Sequence, residues 1–272
     1  VKICLNGKSI SEYYVNNYGT LTLNNCNAAN GKVNTYYNGY NNSVLYGNAV
    51  INNTIFSSTE GTSKISGCIF DHKFVCMENS EITGGTFNQI VAVHDYGVIT
   101  GGYFGGTVAS GTVDDKFIKG GYFKIKPDDS LIADGYAITA SGNSNYPYKV
   151  VATHTCDGVT YDKPLDSSFT GGTLASGNYY LTEDITLASI IQINAGSDVK
   201  ICLNGKSISG HYVENYGALT LNNCNAANGK LNNYYRGYGD SVLCGNAVID
   251  GNLFSSSDNN SKISGCIFNR EI

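Results

Sequence analysis

Four hexads of one pattern, ISGCIF (residues 65–70), ITGGTF (82–87), ITGGYF (99–104) and IKGGYF (118–123), follow one another at start-to-start spacings of 17, 17 and 19 residues. INNTIF (51–56) reads as a degenerate earlier member. The first three are each followed by a second short apolar stretch, FVC (74–76), IVAV (90–93) and TVA (107–109), and then by a polar or glycine turn. Such fragments are too short for helices and carry no 3.6-residue period. Spacings of this size suit one coil of a parallel β-solenoid, in which successive coils stack about 4.8 Å apart. Like then sits on like: Ile65, Ile82, Ile99 and Ile118 form one interior ladder, and Phe70, Phe87, Phe104 and Phe123 another. Each such side chain contributes on the order of 1.5–3 kcal/mol when buried, so a coil offsets its ordering cost only when neighbours cover both of its faces. The paired glycines permit a bend or a close strand approach. A phosphate cradle would need a following helix, and none is predicted.

A longer repeat overlies the short one. Val1 to Phe70 returns as Val199 to Phe268, displaced by 198 positions with 52 of 70 residues unchanged. The period reads as one module of a tandem array, and neither end of the sequence is expected to be a natural boundary. VKICLNGKSIS and SKISGCIF are untouched, while substitutions gather mostly in turns and loops. What repeats is therefore scaffold. In the copied block VKICL and LTL alternate as strands ended by Asn or Gly turns, and YYLTEDITL (179–187) and IIQI (190–193) supply two more upstream of the second copy.

The composition agrees with an all-β fold: 33 Gly, 3 Pro, 21 Tyr and no Trp, with Asn, Thr and Ser in short runs. Gly and Asn accept the positive φ of tight turns, while Val, Ile, Thr, Tyr and Phe suit pleated strands. A net charge of -5, with two arginines (Arg236 and Arg270) and scattered lysines, argues against nucleic-acid partners, which need clustered positive charge. No apolar run approaches the roughly 20 residues that span a bilayer.

HTCDGVTY (154–161), GNYYLTEDITL (177–187), VKICLNGKSISG (199–210) and the GGTF and GGYF coils resemble large repetitive surface proteins of anaerobic Gram-positive bacteria. That resemblance implies tandem modules of right-handed parallel β-helix on a cell surface or in a secreted fibre. The segment 120–151 is similar to the stretch that ends such a module, which makes 1–151 the C-terminal three-quarters of one module and 152–272 the N-terminal part of the next. The function it implies is structural and non-enzymatic, with the chain's own modules as end-to-end partners and no cofactor. An adhesin contacting glycans or a host surface is the alternative, and a polysaccharide lyase or hydrolase a distant third.

Candidate sites are few. Tyr36, Tyr37 and Tyr40, with their copies Tyr234, Tyr235 and Tyr238, crowd aromatic rings into a polar stretch that reads either as a surface for sugars or a neighbouring chain, or as a self-packed loop. Cys4 with Cys26, Cys202 with Cys224 and Cys244 with Cys266 are each 22 residues apart, near one long coil. Stacked coils bring such pairs within disulfide reach, and Cys4–Cys26 and Cys202–Cys224 are the candidate bridges, with buried thiols the other reading. Tyr46 stands where the second copy has Cys244, so no bridge there is required by the fold. A zinc site is not expected, because no CxxC occurs and His154 with Cys156 lacks partners at ligand spacing. Asp114–Asp115 and Asp128–Asp129 read as solvated turn acids without a nearby Arg, and calcium at Asp128, Asp129 and Asp134 has no EF-hand pattern behind it. His72, His94, His154 and His211 show no arrangement for nucleophilic catalysis. The sequons at Asn41, Asn52 and Asn259 matter only in a host that glycosylates.

Overall fold

Ile82 pairs in parallel register with Ile65 on one side and Ile99 on the other, and isolated bridges carry the same row on through Ile118 to Ile132. In this computed structural model, which describes residues 1–26, 31–53, 55–57, 62–77, 79–111, 116–224, 229–255 and 260–269, the chain is a parallel β-solenoid in two units, Val1–Ala152 and Thr153–Ile272. Among the described residues the one helical element is a 3-10 turn, Asp129–Leu131.

In the first unit the hexads form successive rungs: Lys64–Phe70, Glu81–Phe87, then the shorter pieces Val98–Ile99 with Tyr103–Phe104, and Tyr122–Phe123. The four hexad isoleucines are fully buried. Phe70, Phe87, Phe104 and Phe123 stack ring on ring at centroid distances of 4.7, 5.0 and 4.9 Å, with Phe74 edge-on to Phe87 at 5.0 Å. A second sheet stacks Phe74–Cys76, Val91–Val93 and Val108–Ser110 in unbroken register across the narrow core. Both expected ladders are present.

The glycine pairs are explained by the rung geometry. A Cβ on Gly101 would lie 2.3 Å from the Thr83 carbonyl oxygen of the preceding coil, so the first glycine allows close approach. Gly102 has φ of +106°, a backbone state that L side chains resist, so the second allows the bend.

INNTIF takes a different place from the one its sequence suggests. Leu45, not Ile51, pairs with Ile65, while Ile51 pairs with Phe70 and Ile55 with Phe74. Coils of the copied block are longer, so Val44–Gly47 and Val50–Ile51 together fill the rung, and Ile55–Ser57 already belongs to the second sheet. Beyond Tyr122–Phe123 the parallel order stops: Tyr146–Ala152 pairs antiparallel with that rung and forms a hairpin with Tyr136–Asn143.

The second unit opens with another antiparallel hairpin, His154–Cys156 with Val159–Tyr161. Its two-residue turn, Asp157-Gly158, has positive φ at both positions (50° and 76°), which is the type I′ geometry that Asp-Gly favours. Parallel rungs follow, with Leu165 on Leu181, Tyr179 on Ile201, Val199 on Leu219, Leu219 on Leu243 and Leu243 on Ile263. YYLTEDITL is two strands, Gly177–Leu181 and Ile185–Leu187, because the polar Thr182-Glu183-Asp184 makes the corner between them.

The copied segments show what a coil needs. VKICL is covered by the rung Gly177–Leu181 in the second unit, where Ile201 is 1% exposed; its copy Ile3 is 38% exposed. In the reverse sense, Ile65 is fully buried beneath Ile82, while its copy Ile263 is 38% exposed.

Candidate functional site

The tyrosines separate by the alternation of the strand that carries them. Tyr37–Gly39 and Tyr235–Gly237 are strands of the second sheet, so Tyr37 and Tyr235 point inward and are 0% and 1% exposed. This corrects their assignment to a binding surface: a tyrosine run in a strand sends alternate rings to opposite faces. Burial pushes the Tyr37 hydroxyl up to about 12, and that of Tyr235 is raised for the same reason. Tyr36 and Tyr234 face solvent. Tyr40 stacks on Tyr18 of the preceding coil at 4.8 Å, and Tyr238 on Tyr216 at 4.9 Å. Tyr36 lies 5.6 Å from Tyr14, whereas in the second unit Arg236 sits 4.1 Å over Tyr212. One face of each stacked ring is thus occupied by its neighbour. A shallow groove in the first unit is lined by Glu12, Tyr13, Tyr14, Asn34, Thr35 and Tyr36 with Asn53.

The cysteine pairs do not stack in register. Cys4 pairs with Asn24 and Cys202 with Asn222, so Cys26 and Cys224 lie two residues beyond the rung. Cys4 and Cys26 are joined in a disulfide, with Cα atoms 6.0 Å apart. Cys202 and Cys224 are free thiols with sulfurs 3.2 Å apart, so this expected bridge is absent from the structure. The difference is local: His154 Nε2 lies 2.9 Å from Cys224 Sγ and 3.3 Å from Cys202 Sγ. Cys244 pairs with Ser264 and lies 3.2 Å from Thr220 Oγ1, and the Cys266 thiol donates to the Cys244 carbonyl at 3.6 Å, so these two sulfurs are not bridged either.

The opening hairpin brings His154 and Cys156 to Cys202 and Cys224, the partners that local spacing does not reveal. All four donor atoms lie within 4.8 Å of one another. Cys156 is 2% exposed and Cys202 fully buried, packed with Tyr161 and Tyr180, and the His154 ring stacks on Tyr180 at 5.5 Å. Burial lowers the pKa of His154, favouring neutral imidazole, and burial first of all raises those of the Cys156 and Cys202 thiols. Three sulfurs and one ring nitrogen thus converge, two of the donors on buried residues and two on partly exposed ones. The visible signals were the Asp-Gly turn, which makes the hairpin, and the 22-residue spacing of Cys202 and Cys224, which is close to one coil and leaves Cys224 two residues beyond the rung partner of Cys202.

The acids stay apart. Asp128 accepts from the Ser130 backbone, Asp129 pairs with Lys126 and Asp134 with Lys116, each in an exposed position. Asp114, Asp115 and Asn259 lie outside the described residues. No helix among the described residues is long and apolar enough to cross a membrane.

These observations define the class of the protein as a parallel β-solenoid with tandemly repeated coils. No protein-family model, curated protein or solved structure matches the chain.

Proposed function

We propose that this chain is a non-enzymatic, extracellular structural repeat whose solenoid modules join end to end into a rod or fibre on a bacterial surface. The observation that carries the reading is that the 198-residue repeat is laid over one coil register: Leu21 on Leu45 and Leu45 on Ile65 in the first unit recur as Leu219 on Leu243 and Leu243 on Ile263 in the second. The same apolar rung positions are kept in both copies, which is the economy of a stacked array. Its mechanism is mechanical. Backbone hydrogen bonds between coils and continuous Ile and Phe columns resist bending within a unit. Placement on a surface rests on the resemblance of the VKICLNGKSIS and GGYF coils alone. Electron microscopy of native material is expected to show long thin rods; compact particles that stay separate contradict the reading.

A second reading, an adhesin for glycans or host protein, is favoured by the groove of Tyr13, Tyr14 and Tyr36 beside Glu12 and Asn34. Exposed rings flanked by hydrogen-bonding groups are the chemistry that sugars require. A glycan array with Tyr14→Ala and Tyr36→Ala as controls tests it, and no signal from the unaltered protein counts against it.

A further inference from the structure

We propose that His154, Cys156, Cys202 and Cys224 form a structural site for a divalent zinc-type cation, which pins the opening hairpin of the second unit to two successive coils. The donor set among the described residues, one imidazole and three thiolates, is that of closed tetrahedral zinc sites.

The geometry supports it. With metal–sulfur bonds of about 2.3 Å, the edge of a tetrahedron joining two sulfurs is about 3.8 Å. The corresponding nitrogen–sulfur edge is about 3.6 Å. Cys202 and Cys224 have their sulfurs 3.2 Å apart, and His154 Nε2 lies 2.9 and 3.3 Å from Cys224 and Cys202, so these three donors spread by several tenths of an ångström to close around an ion, and Cys156 completes the set within 4.8 Å of them. The surroundings fit as well: Cys156 and Cys202 are buried among Tyr161, Tyr180 and Val159, while His154 and Cys224 are partly exposed. On binding, each protonated thiol releases its proton to solvent, and three thiolates with a neutral imidazole leave the centre with one net negative charge.

The site also has a mechanical rationale. The hairpin His154–Cys156 with Val159–Tyr161 forms a two-stranded sheet of its own, outside the parallel ladders. A cation would cross-link it to residues 48 and 70 positions away, as read from His154 to Cys202 and to Cys224. Closing such long loops removes freedom from the unfolded chain. In the first unit the copies of the two coil cysteines, Cys4 and Cys26, are joined directly to each other instead. The same coil position thus serves two kinds of cross-link.

The test is titration of the reduced full chain with Co²⁺, followed by displacement with Zn²⁺. A one-to-one complex is expected, with sulfur-to-cobalt charge transfer and the visible bands of tetrahedral cobalt. Cys4→Ser with Cys26→Ser should leave it intact, while His154→Ala and Cys156→Ser should each weaken binding by more than about tenfold, the least loss seen even for outer-shell changes. Circular dichroism of each variant checks folding. Cys156→His provides a variant that keeps four donors, and it should bind with weaker charge transfer because one thiolate is gone. Absence of a stoichiometric complex overturns the proposal, as does a complex indifferent to Cys156→Ser, or a Cys202–Cys224 disulfide found by peptide mapping of protein isolated under reductant.

Discussion

Asn17 donates its side-chain Nδ2 to the Tyr37 hydroxyl at 2.9 Å, inside the core, and Asn215 does the same to Tyr235 at 2.9 Å in the second unit. The same amide donates to a backbone carbonyl one coil further on, of Val44 and of Val242 respectively. A buried polar pair therefore ties three coils together, and it lies at positions the two copies share. Asn17→Ala leaves a buried phenol without this donor and is expected to cost about 1–3 kcal/mol in urea unfolding of the first unit. An unchanged midpoint would show the pair to be dispensable.

The Tyr37 phenol gives this pair a pH signature. Burial raises its pKa to about 12, above an unfolded value near 10. The folded state favours the neutral form, so its contribution is complete below about pH 10 and is lost as pH rises toward 12. Stability of the unaltered protein should therefore fall more steeply than that of Tyr37→Phe between about pH 9 and about pH 12. Parallel curves contradict the assignment.

Ile82 has a coil on each side and no exposure, whereas Ile90 is 47% exposed at the next corner. Ile82→Ala is expected to cost about 2–5 kcal/mol, and Ile90→Ala less than about 1 kcal/mol. Equilibrium denaturation of the two variants side by side checks the ladder.

Gly101 faces the Thr83 carbonyl so closely that an alanine must push two coils apart. Gly101→Ala should cost about 2 kcal/mol or more, while Gly19→Ala, with nothing near its added methyl, should change stability by about 0.5 kcal/mol or less. Thermal melts of both decide whether close approach is the reason for the glycine.

Cys68 takes the bend position that glycine holds in the other hexads, with φ of +69° and its thiol buried against the Tyr46 and Leu23 carbonyls. Burial pushes that thiol up to about 12, so almost no thiolate exists at pH 8. Alkylation of Cys68 should be slower than that of an exposed cysteine by on the order of a thousandfold or more. Its copy Cys266, half-buried and raised to about 11, should react first. Iodoacetamide labelling with peptide mapping reads both, and equal rates contradict the account.

The coil stack was legible because in-register stacking writes itself into the chain as like residues at coil spacing, as with Ile65, Ile82 and Ile99. Tyr37 was not, because a ring among polar neighbours carries no mark of which face it takes until the strand's phase is known. The cysteine pairing was legible only in part: 22-residue spacing gave the coil, but the rung register is Cys202 to Asn222, two residues short of Cys224. The His154 and Cys156 partners were hidden for a related reason, since ligands from different coils are brought together by stacking and not by local spacing. INNTIF misled because its hexad pattern matches the rungs while its coil is longer.

The central claim is that the 198-residue period builds length. Small-angle scattering of chains carrying one, two and three periods measures it most directly. The account predicts a maximum dimension that grows by a constant increment with each added period while the cross-section stays fixed. A cross-section that widens while length stalls would contradict it.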